Sequence, residues 1–150
     1  MIPRWRDEAG QLTPLVIGFV VIALLGVTVM ANASKAFLHR RSLASWADGA
    51  AIVAAQNVSE QAVYAGIVGD VVPLADDLAR ASVTAYVDRH GLAERFDGFA
   101  VVRVDVNPVT DAVTVGLAAR VPLIWANEAS AGFGGGIPVT AEASAVAVLR

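Results

Sequence analysis

The stretch Leu12–Ser34, LTPLVIGFVVIALLGVTVMANAS, runs 23 residues without a formal charge, and it constrains this chain more than any other feature. From Leu15 to Val29 it holds eleven Leu, Ile, Val or Phe residues. At mid-bilayer each is worth roughly −0.3 to −0.6 kcal/mol, about −3 to −7 kcal/mol together, whereas one Arg would cost about +3. Crossing a hydrocarbon core as a helix takes about 20 apolar residues, and the stretch is just long enough. The core helix of a soluble domain would keep a polar side, and this run has none. The expectation is a single membrane span, with Leu15, Phe19, Ile22, Leu25 and Val29 in lipid.

About 115 of the 150 residues follow the span, enough for one small domain. Residues 1–41 carry Arg4, Arg6, Lys35, Arg40 and Arg41 against Asp7 and Glu8, a net +3, and the remainder carries −6. The basic residues therefore flank the span, and Lys35, Arg40 and Arg41 are expected at the membrane interface, where long cationic side chains reach the headgroups; the rival for Arg40 and Arg41 is a salt-bridge role with acids of the domain. An acidic domain has no electrostatic footprint for nucleic acid. With no cysteine, disulfides, thiolate metal sites and a Cys nucleophile are excluded.

Residues 1–10, MIPRWRDEAG, form a short charged segment ending in Gly10. Thr13 offers a capping hydroxyl and Pro14 suits a first helical turn. From Ala31 to Gln56 there is no Pro and only Gly49, so one helix is expected from Pro14 to about Gln56, 43 residues or roughly 65 Å. Its second half carries a stripe of Phe37, Leu43, Trp46, Ala50 and Val53 or Ala54 to pack on a domain. A rival reading is a cleaved signal peptide, since Ala31-Asn32-Ala33 has the small-x-small form; against it, the apolar run exceeds the usual length and Lys35 onward continues the helix.

Asn57–Val72, interrupted by Gly66 and Gly69, reads as a loop with a helical turn. Pro73 opens a second helix with Asp76 and Asp77 near its start. Leu74, Leu78, Ala81, Ala85 and Val83 or Val87 form its apolar side, and His90-Gly91 its end. The period then becomes two. Ala100, Val102, Val104 and Val106 alternate with Val101, Arg103, Asp105 and Asn107. After a turn at Asn107–Asp111, the residues Val113, Val115, Leu117, Ala119 and Val121 face one way, which makes a hairpin. In a third strand, Ile137–Leu149, it is Val139, Ala141, Ala143, Ala145, Ala147 and Leu149 that do so. A sheet with one apolar face needs a cover, and the second half of the first helix is the candidate. The fold class expected is α+β, with a long helix, a short helix and three antiparallel strands.

At this point the chain resembles a known family. A charged leader ending in Gly before a long, half-embedded helix on a small antiparallel sheet is similar to the pilin-like architecture. More narrowly, RDEAGQLTPLV, ANASKAFLHRRSLASWADGAAIVAAQ, VRVDVNPVTDAVTVGLAARVPL and GGGIPVTAEASA resemble the TadE/TadG-like proteins of Tad (Flp) pilus assembly. The resemblance implies a minor pilin or pseudopilin with its N terminus inside and its domain outside. Its implied partners are the lipid bilayer, other pilus subunits and the assembly platform. It also implies cleavage between Gly10 and Gln11. One position departs from the pattern: pilins usually carry Glu at the fifth mature position, and here that position is Leu15. Without that charge, repeated stacking in an apolar fibre core is disfavoured, which suits a rare or terminal subunit. The flanking charges alone lean slightly against an inside N terminus.

No catalytic or cofactor constellation is expected. His39 and His90 lie in different elements without ligand spacing. Asp76 and Asp77 are adjacent and so do not face each other on a helix. Gly134-Gly135-Gly136 lacks the Lys-Ser/Thr of a phosphate loop. The apolar loop bearing Leu123, Ile124, Trp125 and Phe133 either closes one end of the sheet or contacts a partner or the membrane interface. Two functional classes follow: a membrane-anchored structural protein of a pilus system, or a secreted or tethered binding module with a passive anchor.

Overall fold

The computed structural model describes residues 9–65, 72–124 and 136–146. Its elements are helices α1 (Ala9–Ala65), α2 (Val72–Arg89) and α3 (Leu92–Arg95), then strands β1 (Ala100–Asn107), β2 (Ala112–Val121) and β3 (Ile137–Val146). The strands form one antiparallel sheet in the order β1-β2-β3. The α+β layout expected above is what the chain adopts, with the small α3 added.

Helix α1 is longer than expected at both ends. At 57 residues it extends about 86 Å. It begins before Pro14, which sits inside it. The N–H that Pro14 lacks would have bonded the Gly10 carbonyl, so the helix forgoes one bond close to its end. At the other end Asn57–Ala65 is helical rather than a loop. That segment contains no glycine or proline, and the glycines that break the pattern begin only at Gly66. Residues 66–71 lie outside the described residues, as do 1–8, Trp125, Phe133, Ala147 and Leu149.

The core is built on alanine. On α1 the residues Leu43, Ala47, Ala50, Ala51, Ala54 and Ala55 are buried, and α1 lies across β2 and β3. The sheet presents Val113, Val115, Leu117, Ala119 and Val121 from β2, with Val139, Ala141 and Ala143 from β3. All of these point as the two-residue period predicted. Methyl groups on both surfaces bring helix and sheet backbones close, and packing at that distance tolerates little added volume. The stripe on α1 is not quite the expected one: Phe37 is 65% exposed, and the buried line runs from Leu43 through Ala47 and Ala50 to Ala54.

On α2 the inward residues are Ala79, Val83 and Val87, while Ala81 and Ala85 are exposed. The helix ends where expected, at His90-Gly91, with Gly91 left-handed (φ +59°) and its N–H donating to the Asp88 carbonyl at 3.2 Å. Asp76 lies beyond the first turn, which holds no acid. Its Oδ1 accepts from the Val106 N–H at 3.2 Å, and one turn on Arg80 donates to the Val104 carbonyl at 3.3 Å. Two charged side chains of α2 thus occupy backbone groups of edge strand β1, where open groups invite another strand.

Trp46 of α1 meets Tyr86 and His90 of α2, with ring centroids 6.2 and 5.2 Å away, and the Arg95 guanidinium lies 5.4 Å over its ring. Gly49 makes room for this cluster, because a Cβ there would collide with the Tyr86 hydroxyl.

Strand β1 departs from simple alternation. Its register shifts between Val101 and Arg103, so Val104 is buried and Val106 half-buried, but Ala100 and Val102 are exposed. The bulge seats Val102 beside Gly116, where a Cβ would stand 3.2 Å from Val102 Cγ2 and 3.1 Å from Arg103 Cβ. In the β1–β2 turn, Asn107 Oδ1 accepts from the Val109 and Thr110 N–H groups at 2.9 and 3.3 Å.

Ala50→Leu is expected to destabilise the helix-and-sheet domain by about 1–3 kcal/mol through overpacking, read as a lowered midpoint in thermal unfolding of the full chain in micelles. Asp76→Ala is expected to cost about 1 kcal/mol and to speed hydrogen exchange at the Val106 amide, with the amides of β2 little changed.

Candidate functional site

The first half of α1 touches nothing in its own chain over most of its length. Leu15, Phe19, Ile22, Leu25 and Val29 are all exposed, Phe19 by 71%. No residue of the most apolar window of this helix is buried, and the helix is long and apolar enough to cross a membrane. Thr28, a polar residue in this region, donates its hydroxyl back to the Leu24 carbonyl at 2.8 Å and so needs no outside partner. Gly10 and Gln11 lie in the first turn of the same helix.

The helix-and-sheet domain reaches along α1 as far as Asn32. Past the end of β2 the chain runs through Pro122, Leu123 and Ile124 beside the helix. Asn32 Oδ1 accepts from the Ile124 N–H at 2.8 Å, and Lys35 Nζ donates to the Pro122 carbonyl at 2.9 Å. The two clasp residues are three apart and share a helix face. One turn further, the His39 ring stands edge-on to Phe96, 6.2 Å between centroids, and Phe96 in turn stacks with Phe99 at 6.4 Å. Asn32, Lys35 and His39 therefore continue downward, in polar form, the line that becomes Leu43, Ala47 and Ala50 above.

The large apolar side chains of this short segment lie off that line and face outward. Phe37 and Leu38 are 65% and 62% exposed, followed by exposed Arg40 and Arg41. Between residues 32 and 39 the helix is thus largely inverted relative to a water-soluble one: Asn32, Lys35 and His39 meet protein, and the large apolar Phe37 and Leu38 face outward. Of the loop residues picked out by sequence, Leu123 is half-buried and Ile124 is 37% exposed at this junction. Asn32 was not foreseen as a contact residue; a lone carboxamide closing a charge-free run was the available signal.

Elsewhere the polar groups have ordinary partners. His90 Nδ1 lies 2.9 Å from the Tyr86 carbonyl. Arg103 bridges Asp105 and Glu142 at 3.5 and 3.3 Å on the exposed sheet face, where such pairs contribute little. Among the described residues no group of three His, Asp or Glu side chains converges as metal ligands would.

Residues 10–57 match the family model for Flp pilus-assembly TadE/G-like proteins. The matched segment begins at Gly10 and takes in the exposed apolar half of α1, the Asn32–Lys35 clasp and most of the alanine face. The family resemblance carried by the N-terminal motifs is borne out over this stretch. No curated protein and no solved structure matches the chain.

If the clasp ties the loop to the helix, Asn32→Ala should raise the hydrogen-exchange rate of the Ile124 amide markedly and leave the Leu117 amide, in the centre of the sheet, unchanged.

Proposed function

We propose that this chain is a membrane-anchored, non-catalytic structural subunit of a Tad-type pilus or secretion system, a minor pilin or pseudopilin acting in fibre assembly or initiation. The supporting observation is that one unbroken helix carries the family-matched segment, with its exposed apolar half leading directly into the alanine face that holds the domain. Such a helix joins lipid and domain rigidly, as a subunit passing from membrane to fibre requires. The N terminus lies on the cytoplasmic side and the domain outside, in keeping with the family resemblance. The bilayer, neighbouring pilus subunits and the assembly platform are the partners.

Leu15 bears on the role. A helix without an acid at that depth adds no buried charge needing a neighbour's ammonium, which favours a subunit present in few copies over one repeated along a fibre.

Two measurements test this. The full chain, produced in cells that contain a prepilin peptidase, is expected to yield a mature protein beginning at Gln11 by mass spectrometry. A start at Ser34 would instead mean secretion and overturn the reading. Replacing Leu12–Ser34 by an unrelated apolar span is expected to reduce the number of surface fibres; full assembly with the replacement would reduce the anchor to a passive tether and refute a role for helix packing in lipid.

A further inference from the structure

Counting about 20 residues of hydrocarbon-spanning helix from Leu15 puts the outer membrane boundary near Ser34. The clasp residues Asn32 and Lys35 straddle that level, and Phe37 and Leu38 lie roughly 5–6 Å above it at 1.5 Å per residue, inside the headgroup layer. An exposed apolar pair, Phe37 opposite the polar, protein-facing stripe and Leu38 on its flank, is costly in water and favourable in that layer. Exposed Arg40 and Arg41 come next, at the height of lipid phosphates. The exposed large apolar residues of α1 run from Leu12 to Met30 and resume at Phe37 and Leu38, beyond the Asn32–Lys35 clasp, so apolar surface and domain contact overlap along the helix.

We propose that the outer domain is seated in the headgroup layer of the bilayer, with Phe37, Leu38 and Ile124 facing interfacial lipid and the Asn32–Ile124 and Lys35–Pro122 hydrogen bonds holding it there. This rests on the span reading above. The domain is therefore not a freely swivelling head on a stalk: its β2–β3 end is fixed at the membrane surface, and the β1–β2 turn at Val109 points into solvent.

Because the chain has no native cysteine, single nitroxide labels can be placed without removing any thiol. The full chain, carrying Ile22→Cys, Leu38→Cys, Ile124→Cys or Val109→Cys, is reconstituted in vesicles of phosphatidylcholine and phosphatidylglycerol. Accessibility to oxygen and to a water-soluble nickel chelate then gives the depth of each label. The expected order is Ile22 deep, Leu38 and Ile124 interfacial, and Val109 in water. Adding Asn32→Ala and Lys35→Ala should raise nickel accessibility at position 124 several-fold, to the Val109 value, and leave positions 22 and 38 unchanged. Water-like readings at 38 and 124 with a lipid-like reading at 22 would overturn the seating while leaving the span intact. A water-like reading at 22 would remove the span itself. A label at 124 shielded from both reagents would mean a protein contact instead, and an unmoved label in the double variant would refute the clasp.

Discussion

The close approach of an alanine-faced helix to an alanine- and valine-faced sheet is the contact on which the rest of this molecule depends. Ala47, Ala50, Ala51, Ala54 and Ala55 hold no polar atom and little bulk, so α1 settles directly onto β2 and β3. Burial of many small groups replaces burial of a few large ones; among the described residues the fully buried side chains bigger than alanine are Leu43, Leu92, Leu117 and four valines. Alanine is also the strongest helix former. The same residues that let the surfaces meet therefore keep α1 continuous from the apolar half into the domain.

That continuity joins two halves of opposite surface character. Residues 12–30 display their apolar side chains on every side, whereas residues 43–55 hide most of theirs, with Ile52 left half exposed. Between them lies the segment from Asn32 to His39, where Asn32, Lys35 and His39 meet protein, Phe37 and Leu38 face outward, and the loop after β2 is bound. The family match covers this whole transition, so the junction belongs to the matched unit rather than to the sheet alone.

Much of this was legible in the chain. The charge-free run announced itself by composition, and β2 and β3 by strict alternation, because their outer residues Thr114, Thr140, Glu142 and Ser144 are polar where the inner ones are not. The failures have physical reasons. Phe37 looked like core because hydrophobic periodicity assumes water outside, and at that height the surroundings need not be water. Val102 looked inward because a bulge shifts the parity of a strand, although Gly116 in the facing strand was a visible sign of close approach. Asp76 looked like a helix-dipole acid, but its use is to bond an edge strand 30 positions away, a long-range pairing that local spacing cannot reveal.

The position of β3 has a consequence for the order of assembly. Of the two strands that lie against the alanine face, β2 begins at Ala112 and β3 only at Ile137, more than eighty positions after that face ends at Ala55. Synthesis is directional, so α1 is complete long before its covering strands exist. Until then it carries a bare row of methyl groups, which expose little apolar surface each and offer no edge for strand pairing. A row of leucines in the same place would be a far stickier intermediate, so the small side chains that shape the finished core also quiet the wait for it.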